Sequence, residues 1–349
     1  MSEPHPPRLL VQPAPFLRPT VSTPGIMGDV LIALAPTVVA AVWFFGISAL
    51  LLIAVSAAAA VATEWGLGGE RGRAAVRDLS ALTTGVLLGL VLPPSLPLWM
   101  AALGSAVAIA LGKLAWGGLG HNLFNPALVG RAFLQAAFPV AITTWVAPGG
   151  PLALYRGTLA WPFLSAPPDA VSAATPLGQM KFLGAATPAG ALFWGDVGGS
   201  VGETSAAAIL LGAAWLLARR ACDWRLPVAT LGSAALFAEI CHRVSPEKYP
   251  GALFTLLSGG LSGGLLFGAV FMASDPVTSP LAPRGAWLFG AGVGALVVLI
   301  RFWGGLPEGV MYAILLMNAV SPLIDRALQP RVFGARPAPS AAPGAGTGP

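Results

Sequence analysis

Two stretches of equal length decide what kind of chain this is. Residues 30–63, between Asp29 and Glu64, and residues 79–112, between Asp78 and Lys113, are each 34 positions without a charged side chain. A bilayer core about 30 Å thick is crossed by about 20 helical residues, so each run is too long for one span and long enough for two. The first run divides at a turn near Gly46, with spans near 27–45 and 48–65. The second divides at Pro93, Pro94 and Pro97, with spans near 79–92 and 98–115.

Composition agrees: 56% of residues are hydrophobic and 9% are charged, against about 25% charged in soluble domains. A fifth span is expected from His121 to near Pro139. Further spans are expected near 201–218, 226–241, 252–273, 286–302 and 309–325. Several later windows (226–238, 285–300, 309–324) hold only 13 to 16 residues between charges. That shortness, with Gly-Gly at 259–260 and 263–264 and the run Ser274-Asp275-Pro276-Val277-Thr278-Ser279-Pro280, favours broken helices over straight ones.

Basic residues orient the chain. With the N-terminus inside, Arg156, Lys181, Arg243, Lys248 and Arg301 fall outside, and the other 14 of the 19 Lys and Arg residues fall inside. A net charge of +5 is read in the same way, as a topology signal and not as a nucleic-acid footprint.

The halves of the chain repeat. Trp99 to Lys113 and Trp287 to Arg301 are equal steps with Gly104 and Gly292 at matching offsets. A Trp-Gly-Gly-Leu follows each, at 116–119 and 303–306, and Gly85-Val86-Leu87-Leu88-Gly89 is matched by Gly264-Leu265-Leu266-Phe267-Gly268. An offset of five spans is odd, so the two copies are inverted in the membrane. The expected fold is an all-α polytopic membrane protein of about ten transmembrane helices in two inverted five-helix repeats. Its expected parts are a cytoplasmic N-terminal tail (1–25), the first repeat (26–140), an outer-face loop (141–199), the second repeat (200–326) and a cytoplasmic C-terminal tail (327–349).

Two cysteines, Cys222 and Cys241, are too few for the four thiolates of an iron–sulfur cluster. Three histidines, His5, His121 and His242, have no spacing that pairs two on one helical face, so neither a metal site nor a haem is expected. Polar residues instead gather at span ends. The groups are Asn122 and Asn125 with Arg131; Glu203 with Thr204 and Ser205; Asp275 with Thr278 and Ser279; and Asn318 with Ser321 and Asp325. Ionisable side chains in spans mark ion or substrate routes, and the alternative role for Glu203 and Asp275 is to cap broken helices.

In the long outer loop, Asp169-Ala170-Val171-Ser172-Ala173-Ala174-Thr175-Pro176-Leu177-Gly178 presents hydroxyls among residues too small to crowd an incoming group. Asp-x-x-Ser-(Gly/Ala)-Ala-Thr resembles the signal by which a flavin transferase esterifies FMN to the final Thr of membrane subunits in redox-driven ion pumps. Thr175 is that residue here, with Asp169, Ser172 and Ala174 matching and Ala173 standing where Gly is usual.

A wider set of segments, Gly28–Leu34, Phe124–Leu134, Val197–Ser205, Met272–Pro280 and Leu315–Asn318, is similar to the NqrB/RnfD family over roughly residues 22–328. The short stretch before the first span favours the Rnf branch. The resemblance implies a urea-transporter-like fold and a covalent FMN on Thr175, and it leaves room for a noncovalent riboflavin. It implies partner subunits with iron–sulfur centres and a second FMN, in a bacterial inner-membrane complex that couples electron transfer between ferredoxin and NAD to Na+ or H+ translocation. Asn125, Arg131, Glu203, Thr204, Asp275, Thr278 and Asn318 are expected along a flavin or ion pathway. The alternatives are an NqrB-like subunit of a quinone-reducing sodium pump and a urea-transporter-like solute permease.

Overall fold

The computed structural model describes residues 22–69, 72, 76–162, 174–183, 187–246, 249, 251, 264–305 and 308–329. Within them the main regular elements are helices: α1 (Thr23–Leu67), α2 (Ser80–Leu90), α3 (Leu98–Gly112), α4 (Pro126–Ala137), α5 (Ala206–Ala218), α6 (Arg225–Val244), α7 (Leu265–Phe267), α8 (Pro283–Trp303) and α9 (Val310–Ala327). A π-helical turn, Gly268–Met272, extends α7. Among the described residues, α1, α3 with its following turn, α8 and α9 are long and apolar enough to cross a membrane.

The 45 residues of α1 would measure about 68 Å if straight. They are two helices joined at Gly46, whose φ of 65° and ψ of −145° are open only to glycine. A continuous helix would bond the Ser48 amide to the Phe44 carbonyl. Instead, Ser48 N–H donates to Ala153 O at 3.3 Å, and Phe44 O accepts from Gly149 N (3.0 Å) and Gly150 N (3.1 Å). The Ser48 hydroxyl accepts from Tyr155 N at 2.8 Å and lies 3.1 Å from Thr158 Oγ1, which donates to Pro94 O at 2.9 Å. The expected turn near Gly46 is present, and residues 149–158 satisfy the backbone it frees.

Glycines set the helix separations. A Cβ on Gly85 would lie 2.5 Å from Ala57 Cα, and one on Gly89 would lie 2.8 Å from Ile53 Cα, so α2 presses against the second arm of α1. At Gly104 a Cβ would meet the Leu134 side chain at 2.5 Å, and at Gly292 it would meet Met317 at 2.6 Å. The two glycines paired by the sequence repeat therefore face the following long helix in each half, α3 against α4 and α8 against α9. Close backbone approach is the usual basis of helix association in lipid.

Polar contacts define the two ends of the bundle. At one end Arg219 Nε donates to Asp29 Oδ1 at 3.1 Å, Trp224 meets Trp287 edge to face at 5.9 Å, and Leu281 N donates to Asp325 Oδ1 at 3.0 Å. At the other end lie the Gly46 bend, the α8–α9 connection and Lys181, whose ammonium donates to Gly304 O at 2.5 Å.

The tails 1–21 and 330–349 and most of the expected 252–273 span lie outside the described residues. The expected fifth span is helical only over Pro126–Ala137, because Asn125 caps it with Oδ1 3.0 Å from Ala127 N and Pro139 ends it.

Candidate functional site

Two polar clusters occupy the interior, one toward each end. The first surrounds a cavity of about 60 Å³ lined by Ser80, Lys113, Asn122, Asn125, Ser274 and Asp275, with apolar walls from α1, α2 and the α7 extension. Lys113 forms a buried ion pair with Glu64 and donates to Ser80 Oγ at 2.5 Å, while Ser80 Oγ bonds Asp78. Glu64 Oε2 has no hydrogen-bond partner and is shut from solvent. Pairing is what makes two buried charges tolerable here.

Asp275 belongs to this cluster and also acts as a cap. Its Oδ1 accepts from Val277 N and its Oδ2 from Thr278 Oγ1, both at 3.2 Å, which secures the turn after the α7 extension. Both roles considered for Asp275 are therefore compatible with its position. Asn125 joins the cavity from the start of α4, its Nδ2 3.5 Å from Met272 O, and the Asn318 side-chain oxygen accepts from Asn125 N at 3.0 Å. Asn318 is fully buried. It meets Asn125 rather than Ser321 and Asp325, its neighbours along the sequence.

The second cluster is centred on Arg131 in α4. Its Nη1 donates to Glu203 Oε1 at 3.0 Å and its Nη2 to Glu308 Oε2 at 2.5 Å. Gln135, Gly264, Val310 and Met311 complete the lining of a small cavity there, about 10 Å³. Glu203 is placed by backbone pairing with the broken end of α2, Val201 N to Leu92 O at 3.0 Å and Gly202 N to Leu90 O at 2.6 Å. Its carboxylate lies against Gly264, where φ is +68° and a Cβ would come 2.9 Å from Glu203 Cδ. The capping role considered for Glu203 falls instead to Ser205, whose Oγ accepts from Ala208 N at 3.4 Å to start α5. Thr204 beside it is buried.

Two expectations are corrected here. Arg131, assigned to the inner surface and grouped with Asn122 and Asn125, is buried within α4 and pairs with Glu203, because two carboxylates solvate it better than an apolar span end could. Glu308 was missed. It follows Trp303-Gly-Gly-Leu and precedes Gly309 at the head of a span, where a charge reads as a boundary, yet it supplies Arg131 with its second carboxylate.

Thr175 caps a short helical turn, Pro176–Gly178, its Oγ1 accepting from Gly178 N at 3.1 Å. A Cβ at residue 178 would lie 3.2 Å from that oxygen, so glycine keeps the hydroxyl uncrowded. An ester oxygen at the same place still accepts from Gly178 N, so a phosphoester on Thr175 fits the turn. Asp169 and Ser172 lie outside the described residues, and Ala174 is exposed with its carbonyl 3.3 Å from Gln179 Nε2. The turn runs into Gln179–Leu183, and Lys181 fastens it to Gly304 beside the Arg131 cluster.

Helices long and apolar enough to cross a bilayer, with ion pairs buried among them, define a helical membrane protein with an ionisable interior. The sequence matches the NQR2, RnfD, RnfE family over residues 10–334, and the chain belongs to that family. It is 43% identical over 337 residues to the D subunit of an ion-translocating oxidoreductase complex from Stutzerimonas stutzeri, covering 90% of this chain and 92% of that one. It is 40% identical over 338 residues to the D subunit of a proton-translocating ferredoxin:NAD(+) oxidoreductase complex from Clostridium ljungdahlii, covering 93% and 96%. The D subunit of an ion-translocating oxidoreductase complex from Halorhodospira halophila is 37% identical over 347 residues, covering 92% and 94%.

Proposed function

We propose that this chain is the membrane D subunit of an Rnf-type complex that couples electron transfer between ferredoxin and NAD to translocation of Na+ or H+ in the bacterial inner membrane. The observation that carries the reading is likeness along almost the whole chain to proteins named as D subunits of such complexes. Its partners are the other subunits, including those with iron–sulfur centres and a further FMN, and a flavin transferase.

In this reading Thr175 holds FMN through a phosphoester, and a noncovalent riboflavin remains compatible with it. Bound flavin supplies one- and two-electron redox chemistry. The chain fixes where that chemistry occurs, through the Pro176–Gly178 turn and the Lys181 bond to Gly304. Thr175 is 6% exposed, so a transferase reaches it before the turn docks.

Ion movement follows the two polar clusters. Asp275 and Asn125 face the first cavity, Asn318 touches Asn125, and Arg131 and Glu203 stand at the second. Ten spans in two inverted repeats, akin to urea transporters, accommodate this arrangement. Support comes from the matched Gly104–Leu134 and Gly292–Met317 approaches.

The test is the flavin itself. In the complex purified from its native host, the denatured chain should fluoresce under ultraviolet light and carry one FMN mass on the peptide spanning residues 157–181. Thr175→Ala should abolish the band and Ser172→Ala should retain at least part of it. A dark wild-type band would end the electron-carrier reading, and a bright Thr175→Ala band would move the acceptor elsewhere.

A further inference from the structure

Arg131 is bonded to two carboxylates that come from separate parts of the chain. Glu203 is fixed by the α2–α5 backbone pairing, and Glu308 hangs on the α8–α9 connection. They differ in accessibility: the Glu203 side chain is 6% exposed and that of Glu308 is 24% exposed. Arg301, at the end of α8, is buried nearby and lies close enough to feel both acids. Among the described residues, two arginines thus face two carboxylates. Among the described residues Arg131 Nε is buried without a hydrogen-bond partner, and the guanidinium is held through its two Nη contacts.

The position of this cluster gives it a task. Asn125 caps α4 and lines the first cavity, and Arg131, six residues on and about 9 Å along the axis, lines the second from the middle of the same helix. A cation passing along α4 from the Asp275 cavity toward the end where Glu308 is partly exposed would come to the guanidinium. Carboxylates at that point would attract it if Arg131 did not already occupy them.

We propose that Arg131 is a tethered stand-in for the translocated cation. It closes the route by filling the site formed by Glu203 and Glu308, and the moving ion opens it by taking the Glu308 carboxylate from the guanidinium. Glu203 keeps its bond throughout, so the arginine swings about a fixed partner rather than leaving the cluster. Competition of this kind prevents passive flow, because the site is never empty. The inference rests on the translocation reading above and adds the residue that blocks leakage.

The experiment uses the whole complex in sealed proteoliposomes, with passive 22Na+ flux and pH-dye relaxation measured separately without electron donor. Arg131→Gln should raise passive flux of the coupling ion by about tenfold or more, the change expected for losing a charge-assisted contact, and flavin content should be unaffected. Glu308→Gln should leave the vesicles tight and raise the cation concentration for half-maximal turnover by about tenfold. Should Arg131→Gln fail to assemble, Glu308→Gln decides, since an unshifted half-saturation overturns the proposal. An assembled, flavin-loaded Arg131→Gln complex that is as tight as wild type also overturns it. If wild type moves neither ion under turnover, the translocation reading fails, and the gate falls with it.

Discussion

Lys113 and Glu64, forty-nine positions apart, form an ion pair whose side chains are 2% and 1% exposed. Each charge is tolerated only because of the other, since an unpaired ion at such depth loses its solvation without return. Lys113→Met should therefore lower stability by about 3–5 kcal/mol, and adding Glu64→Gln should restore a large part of it. Thermal inactivation followed by size-exclusion chromatography measures both. A double variant that loses as much as the sum of the two single variants would mean that the pair contributes nothing.

Asp275→Asn separates capping from ion handling. Asparagine keeps an oxygen for Val277 N and can still bond Thr278, so stability should change by no more than about 1 kcal/mol. Flavin content should be normal and ion-coupled turnover lost. Normal pumping by this variant would reduce Asp275 to a cap.

Gly46→Ala places a methyl 2.3 Å from Ala153 N at a φ of +65°. The backbone conformation alone costs about 1–3 kcal/mol, and the clash adds to it. Reduced assembly is expected, read as lower yield of monodisperse complex. A fully stable variant would show that the bend is not held by residues 149–158.

Topology is tested by single-cysteine labelling of intact cells. Position 169 should react with an impermeant maleimide and position 73 should not. Background is low because burial, with help from Asp223, pushes the Cys222 thiol up to about 11, and Cys241 is buried. Labelling at 73 would overturn the N-terminus-inside orientation.

Local features were the legible ones. Gly46 announced a bend because 34 uncharged residues cannot form one span, whereas the fifth span, expected from His121, starts as a helix only at Pro126, where Asn125 caps it. Asp275 and Glu203 stood out as acids beside Pro and Gly. Partnerships were not legible, because nothing in the spacing of residues 64 and 113, or 131 and 308, says that they touch. Glu64 entered as the end of an uncharged run, Lys113 as a run end, a repeat marker and an inner basic residue, and Arg131 as an inner basic residue grouped with Asn122 and Asn125. Burial turned all three from boundary markers into interior groups.

The Gly46 bend carries an instruction about order in time. Its exposed backbone groups are satisfied by residues that follow far later in the chain, with Tyr155 107 positions beyond Ser48. At ribosomal rates that interval is about 5–20 s. Throughout it, the first helical hairpin sits in the membrane with an unsealed tip, facing water or the insertion machinery. The seal arrives only after α2, α3 and α4 have been made and residues 149–158 have followed them. Completion of the first half is thus signalled at its oldest hairpin, and a chain cut before residue 147 would carry every helix of that half without the clasp that closes it.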